Sequence, residues 1–352
     1  MTSPSSRSLL HTATTCSVAS LRSALTRDQQ LGALPLVTAA IDAFLRKTRR
    51  LQCSDSHSSS SGFEREYREL CRCIRNAVDD DLLLTPQTRA TKAKNRYKNI
   101  LPFEKTRVKL QDTAEDYINA NYIDGGYIAC CAPVPAAISD FWHMVWQCDV
   151  HVVLMLTKFV EQARLSADVY WDTRVDHAVD FDGVYVKLVA ERKLPSSQSI
   201  ATRTFKVWKV DDAGRESESR VVQHFQLTSW PDHGVLQDYR VVALLLDSVN
   251  SYQREASQAH NVDAKVVVHC SAGVGRSGTF IAIDILLKQL HRVLTDTSDS
   301  DEEKARAMQH AMDVPRVVHR LRSQRPGMVQ TPEQYRMIYQ FLAAVVSVER
   351  PW

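Results

Sequence analysis

The chain has 352 residues, 44% hydrophobic and 24% charged, which fits a globular protein and excludes collagen-like, low-complexity and small disulfide-scaffold classes. Its 44 Lys and Arg against 41 Asp and Glu leave a formal charge of +3, too little to argue for nucleic acid or an anionic membrane as partner. The longest apolar runs, such as 152–156 and 341–346, fall far short of the approximately 20 residues that span a bilayer.

Residues 1–27 are rich in Ser and Thr, carry Arg7, Arg22 and Arg27, and have no acidic residue before Asp28, which partly fits an organelle transit peptide. The apolar positions Leu9, Leu10, Val18, Leu21 and Leu25 give no sustained helical stripe, so residues 1–30 are read as a disordered polar tail. After Pro35, the residues Val37, Ile41, Phe44 and Leu45 recur at helical spacing and predict an amphipathic helix over 36–48, ending in the basic run 46–50. A Ser-rich linker at 54–62 follows, so that 31–62 forms one helix and a connection. Phe63, Tyr67 and Leu70 reopen a helical face, and the main domain is set at 63–348.

Beyond residue 117 short strand patterns dominate, at 152–156, 184–189, 205–210, 221–227 and 266–268. Uninterrupted apolar runs suit interior strands covered on both faces, and alternating ones suit antiparallel strands. Helices are predicted near 139–147, 238–255, 278–292, 314–323 and 332–346, while the acidic, serine-bearing 296–303 reads as a solvated connection. The resulting class is α+β, a mixed sheet flanked by helices. Eight cysteines show no metal-ligand pairing with histidine and no small-scaffold disulfide pattern.

The most informative segment begins at Val266-Val267-Val268. It passes through His269 into Cys270-Ser271-Ala272-Gly273-Val274-Gly275-Arg276-Ser277-Gly278-Thr279-Phe280, and a helical run follows. Small residues between Cys270 and Arg276 let successive backbone N–H groups turn inward on an anion, with a helix N-terminus beneath it. The same field lowers a cysteine pKa from about 8.5 by about one to five units, so Cys270 is expected to be a thiolate at neutral pH. A lone cysteine and arginine at this spacing would mean little, and a buried cysteine is usually inert. The whole segment reads as a phosphate-binding catalytic loop.

This segment resembles the signature loop HCSAGxGRSGTF of the tyrosine-specific cysteine phosphatases, the protein tyrosine phosphatase family, and meets it at every fixed position. The resemblance extends to Trp230-Pro231-Asp232-His233-Gly234-Val235, to Asn95-Arg96-Tyr97-Lys98-Asn99, to 116–123 and to 325–331, and so covers most of the chain after residue 62. It implies a single catalytic domain of non-receptor type with a twisted mixed sheet. It also implies phosphotyrosine-containing proteins as partners, no metal or cofactor, and a monomer.

A phosphate monoester dianion repels nucleophiles, so such a site has to neutralise charge, align the attacking group and protonate the departing oxygen. By the resemblance, Cys270 forms a cysteinyl-phosphate and Arg276 clamps two equatorial oxygens with its planar fork. Asp232 is the general acid and then the base, on a mobile loop that Trp230 supports. Gln330 positions the water of the second step and Gln334 assists it. Ser277 donates to the departing sulfur, His269 fixes the loop, and Glu161 holds Arg276. Ser271, Ala272, Gly273, Val274 and Gly275 enclose the phosphate. Tyr97 walls a cleft deep enough for phosphotyrosine alone, Lys98 favours acidic residues beside it, and Asn99 bonds substrate backbone.

The chain departs from the family pattern at several points. Ser166-Ala167 stands where Lys-Cys is usual, removing a lysine that steadies the closed acid loop. Tyr170-Trp171-Asp172 replaces Tyr-Trp-Pro, Leu236 replaces a proline, and Cys130-Cys131-Ala132-Pro133 replaces Thr-Gln-Gly-Pro. The vicinal cysteines read as packing, with a disulfide trap for oxidised Cys270 as the alternative. These departures imply a divergent branch, such as a protozoan one. A broader phosphatase for phosphoserine, phosphothreonine or a phosphoinositide would need a shallower or more basic pocket, and a dead phosphotyrosine-binding module would lack Cys270, Asp232 or Arg276. A thiolate nucleophile needs a reducing compartment, which points to the cytoplasm, with organelle import through the N-terminus as the alternative.

Overall fold

The computed structural model describes residues 17–31, 35–53, 60–76, 83–232, 234–296 and 300–347. In chain order its strands are β1 (Arg107–Lys109), β2 (Tyr117–Ile123), β3 (Tyr127–Cys130), β4 (Val150–Met155), β5 (Val160–Glu161), β6 (Arg164–Leu165), β7 (Ala178–Phe181), β8 (Val184–Leu194), β9 (Ser197–Val210), β10 (Glu216–Leu227) and β11 (Lys265–His269). Strands β5 and β6 pair as a separate hairpin. The others form one nine-stranded sheet in the order β1-β2-β3-β11-β4-β10-β9-β8-β7. Strand β11 runs parallel to both β3 and β4, and β10 runs parallel to β4. The outer pairs are antiparallel, so the sheet is mixed, as expected.

The uninterrupted apolar runs lie at the centre. Val152 and Leu154 of β4, with Val266 and Val268 of β11, join one buried cluster, while Val150, Val153 and Met155 with Val267 join the cluster on the opposite face. Each strand is thus sandwiched, and every such side chain contributes about 1.5–3 kcal/mol by leaving water. In β8, by contrast, Val184, Val186 and Leu188 face inward between more exposed neighbours, the pattern of a half-covered antiparallel strand.

The helices are α1 (Val18–Leu31), α2 (Pro35–Gln52), α3 (Gly62–Asn76), α4 (Arg89–Ala93), α5 (Ile138–Gln147), α6 (Tyr239–His260), α7 (Gly275–Thr295), α8 (Asp301–Ala311), α9 (Val314–Gln324) and α10 (Pro332–Val346). Helix α5 packs on the face that carries β8, whereas α1, α2, α3 and α6 to α10 contribute to the cluster behind β11.

Two expectations need correction. Residues 18–31 are not a tail. Val18, Leu21 and Leu25 are buried against α6, α7 and α10, and the Val18 amide donates to Asp247 Oδ1 at 2.8 Å. The three positions do form a stripe, but one too short to hold an isolated helix, so its stability comes from docking. Residues 1–16, and with them most of the transit-peptide reading, lie outside the described residues, as do 54–59 of the Ser-rich linker. The acidic 296–303 is also more than a connection, since Ser300 caps α8 with reciprocal bonds to Glu303. Asp301, Glu302 and Glu303 then sit favourably at the positive end of that helix.

Candidate active site

Strand β11 ends at His269 and α7 starts at Gly275, so residues 270–274 carry the chain from a buried strand into a helix. Gly273 makes this turn possible. Its φ is +69°, and a Cβ there would lie 1.9 Å from the Cys130 carbonyl oxygen, which no other residue could accommodate. The neighbouring strands hold the loop through Leu156 N–H donating to the His269 carbonyl (2.8 Å) and Ala132 N–H donating to that of Ser271 (3.0 Å).

Cys270 is buried at the centre of this turn. Burial alone would push its thiol up, but the Arg276 charge, the Ser277 hydroxyl and the amides of Ser277 and Gly273 together hold it below the ordinary thiol value. The Gly273 amide donates to Sγ at 3.3 Å. Among the described residues the Ser277 hydroxyl is buried without a full hydrogen bond, and it lies near enough to the sulfur to favour its anion. A lowered pKa keeps the thiolate populated as pH falls, so alkylation by iodoacetate should persist below the usual thiol range. Replacing Ser277 by alanine should move the inflection of that pH–rate profile upward, and an unmoved inflection would remove Ser277 from thiolate stabilisation.

Arg276 is also buried, and Glu161 from the β5–β6 hairpin binds it with both oxygens, at 2.6 and 2.8 Å. Burial works against the Glu161 carboxylate, but Arg276, Thr157 and Ser166 hold it below the ordinary carboxylate value. The acid loop meets the same guanidinium. Trp230 offers its carbonyl to Nη1 at 3.1 Å, and Asp232 Oδ1 accepts from Nη2 at 3.1 Å. Arg276 therefore tethers the loop at two points. His233 lies outside the described residues.

These groups share a cleft of about 120 Å³ whose lining includes Tyr97, Asn99, Asp232, Cys270, Arg276 and Gln330. Ile100, Ser271, Ala272, Gly275 and Gln334 complete it, while Val274 is buried and Lys98 stands exposed on the Tyr97 turn, outside the lining. The Tyr97 hydroxyl meets Ser271 Oγ at 2.8 Å, and that hydroxyl donates to the Ser166 carbonyl at 2.6 Å. Gln334 accepts from the Gln330 amide at 2.9 Å. A larger cavity of about 510 Å³, bordered by Arg49, Tyr239 and Gln340, contains no cysteine.

His269 contacts the Cys270 carbonyl through Nδ1 (3.0 Å) and the Tyr170 hydroxyl through Nε2 (2.8 Å). Tyr170 also meets His224 Nε2 at 2.8 Å, and His224 Nδ1 lies 3.4 Å from Arg203. Burial lowers the His269 pKa to about 4 and that of His224 well below its ordinary value.

Several supporting residues carry no role in the sequence reading. Arg325 is fully buried and donates to the carbonyls of Gly273 (2.9 Å) and Ala272 (3.1 Å), which point outward because the loop amides point inward. Asn119, Asn121 and the Cys131 sulfur accept its other bonds. Cys131 donates to the Ala272 carbonyl at 3.1 Å, so one member of the vicinal pair serves the same backbone; burial raises the pKa of both. The Arg325-Pro326-Gly327 motif is visible in sequence, but burial of its cation is not.

A family model described as Protein-tyrosine phosphatase matches residues 91–344. The chain is 36% identical over 300 residues to Receptor-type tyrosine-protein phosphatase eta of Gallus gallus, covering 83% of this chain and 19% of that protein. The corresponding figures are 34%, 83% and 20% for the Homo sapiens eta protein, and 33%, 83% and 13% for Tyrosine-protein phosphatase Lar of Drosophila melanogaster. It thus spans about a fifth or less of the length of these curated relatives. The solved structure described as "Structural basis of PTPN18 fingerprint on distinct HER2 tyrosine phosphorylation sites" is similar at a TM-score of 0.70 and 27% identity, covering 87% of this chain and 99% of that one. Among the described residues no helix is long and apolar enough to cross a membrane. The chain belongs to the protein-tyrosine phosphatase family.

Proposed function

We propose that this chain hydrolyses phosphotyrosine in proteins through a cysteinyl-phosphate. The observation that carries the reading is the convergence on one small cleft of a stabilised thiolate, a guanidinium locked in plane by Glu161, and the Asp232 carboxyl. Cys270 Sγ attacks phosphorus while the bond to the tyrosine oxygen breaks, and Asp232 gives that oxygen its proton. Arg276 and the loop amides share the charge of the equatorial oxygens. Water placed by Gln330 and deprotonated by Asp232 then attacks phosphorus, the S–P bond breaks, and Ser277 donates to the leaving thiolate. Trp230 and Gln334 support the acid loop and Gln330, and His269 supports the Cys270 backbone.

Tyr97 sets the depth, Asn99 contacts the substrate backbone, and Lys98 favours an acidic neighbour. The main domain, 63–348, acts as a monomer in the cytoplasm, where a reducing environment keeps Cys270 free. A panel of matched phosphopeptides tests the substrate class. Tyrosine esters should be hydrolysed on the order of 10³-fold faster than serine or threonine esters, since a short side chain leaves phosphorus out of reach of Sγ. Comparable rates would replace this reading with a broad-specificity phosphatase.

A further inference from the structure

Val329 precedes Gln330 and has a φ of +58°, a left-handed conformation that a β-branched residue rarely adopts. Such a backbone is strained and persists only when its surroundings hold it. The holding groups come from distant parts of the chain. The Val329 carbonyl accepts from Tyr67 Oη of α3 at 2.9 Å and from Arg322 Nη2 of α9 at 2.7 Å. Arg322 also donates to the Met328 carbonyl (2.8 Å) and to the Tyr67 hydroxyl (2.7 Å), so the two donors brace each other. On the other side, the Val329 amide donates to the Val274 carbonyl at 3.0 Å. Gly278 leaves room for this approach, since a Cβ there would lie 2.4 Å from the Val329 nitrogen.

Helix α3 grips the same turn from its other end. Glu66, adjacent to Tyr67, accepts from Tyr335 (2.7 Å) and Tyr339 (2.5 Å) of α10, the helix that carries Gln334. Lys47 of α2 pairs with Glu66 at 2.8 Å. The segment between the loop carbonyl of Val274 and the side chain of Gln330 is therefore set by donors that do not line the cleft.

We propose that Tyr67 and Arg322 are positioning residues for hydrolysis of the phosphorylated enzyme, holding Val329 in its left-handed conformation so that Gln330 is aimed into the cleft. The proposal rests on the assignment of Gln330 to the water of the second step. Loss of one clamp bond leaves the first step intact, because Cys270, Arg276 and Asp232 are held by other contacts. It slows only the attack of water.

The test uses the full chain and p-nitrophenyl phosphate, with rapid quenching to follow formation and decay of the cysteinyl-phosphate. Tyr67→Phe keeps the ring packing and removes the donor. Its phosphoenzyme should decay roughly fivefold to tenfold more slowly, the equivalent of one hydrogen bond, with kcat/KM retained and the burst amplitude unchanged or larger. Adding Val329→Gly should restore much of the rate, because glycine holds this φ without strain. Unchanged decay in Tyr67→Phe, an equal fall in kcat/KM, or no restoration by glycine overturns the proposal. Gln330→Ala separates the two layers. If it decays normally, the Gln330 assignment fails and takes the proposal with it; if it decays slowly while Tyr67→Phe does not, only the clamp fails.

Discussion

Cys270→Ser should abolish turnover of a phosphotyrosine peptide, by on the order of 10⁵-fold or more, while leaving its binding measurable by calorimetry. The charges and amides that lower the thiol pKa cannot bring an alcohol into the same range, so serine at this position stays protonated and its oxygen attacks poorly. The anion site does not depend on sulfur. Arg276 keeps both bonds to Glu161, and the loop carbonyls keep Arg325, so the amides remain turned inward. Turnover within a factor of about ten of the parent would remove Cys270 as nucleophile. Loss of binding together with turnover would show instead that the thiolate shapes the loop.

Asp232→Ala should lower kcat by about 10²–10⁴-fold and leave peptide affinity intact or slightly tighter. The direction of the affinity effect follows from the contact between Asp232 and Arg276. Asp232 Oδ1 occupies the Arg276 Nη2 that a phosphate oxygen would need, so the carboxylate competes with substrate until the phosphate displaces it. Alanine removes both the proton donor and this competitor. A second consequence separates the acid from a merely steric role: the loss should be far smaller for an ester whose leaving oxygen needs no proton, such as a dinitrophenyl phosphate. An equal loss for both esters would rule out proton donation, and an unchanged kcat would rule out any chemical role.

Local signals suffice where one segment contains its own explanation. The strand, turn and helix from Lys265 to Thr295 are legible because the apolar run, the glycines and the helical face adjoin one another. The α10 boundaries coincide with the predicted 332–346 because Thr331 caps it and Pro332 fits its first turn. Glu161 is legible only through its motif, since its partner lies 115 residues away. Tyr67 with Val329 and Arg325 with Asn119 are pairings across 262 and 206 residues, and neither partner carries a local sign of the other. Helix α1 escapes for a related reason. Its three apolar positions acquire meaning only beside the groove of α6, α7 and α10, whereas α8 is legible from Ser300 and Glu303, whose capping-box spacing outweighs the acidity of the run.

The contacts around Tyr170 allow only one arrangement of hydrogen atoms. Facing a carbonyl, His269 Nδ1 must carry its proton, and since the ring is neutral, Nε2 accepts from the Tyr170 hydroxyl. Tyr170 has no second hydrogen, so His224 Nε2 donates to it and His224 Nδ1 faces the Arg203 guanidinium as a lone pair. Arg203 in turn reaches Glu191 on β8 at 2.7 Å. From Arg203 to the Cys270 carbonyl the four donors point the same way and each bond polarises the next, whereas the bond to Glu191 leaves Arg203 in the opposite direction. A donor-only guanidinium at one end and an acceptor-only carbonyl at the other thereby fix the tautomers of both rings, including the one beside Cys270.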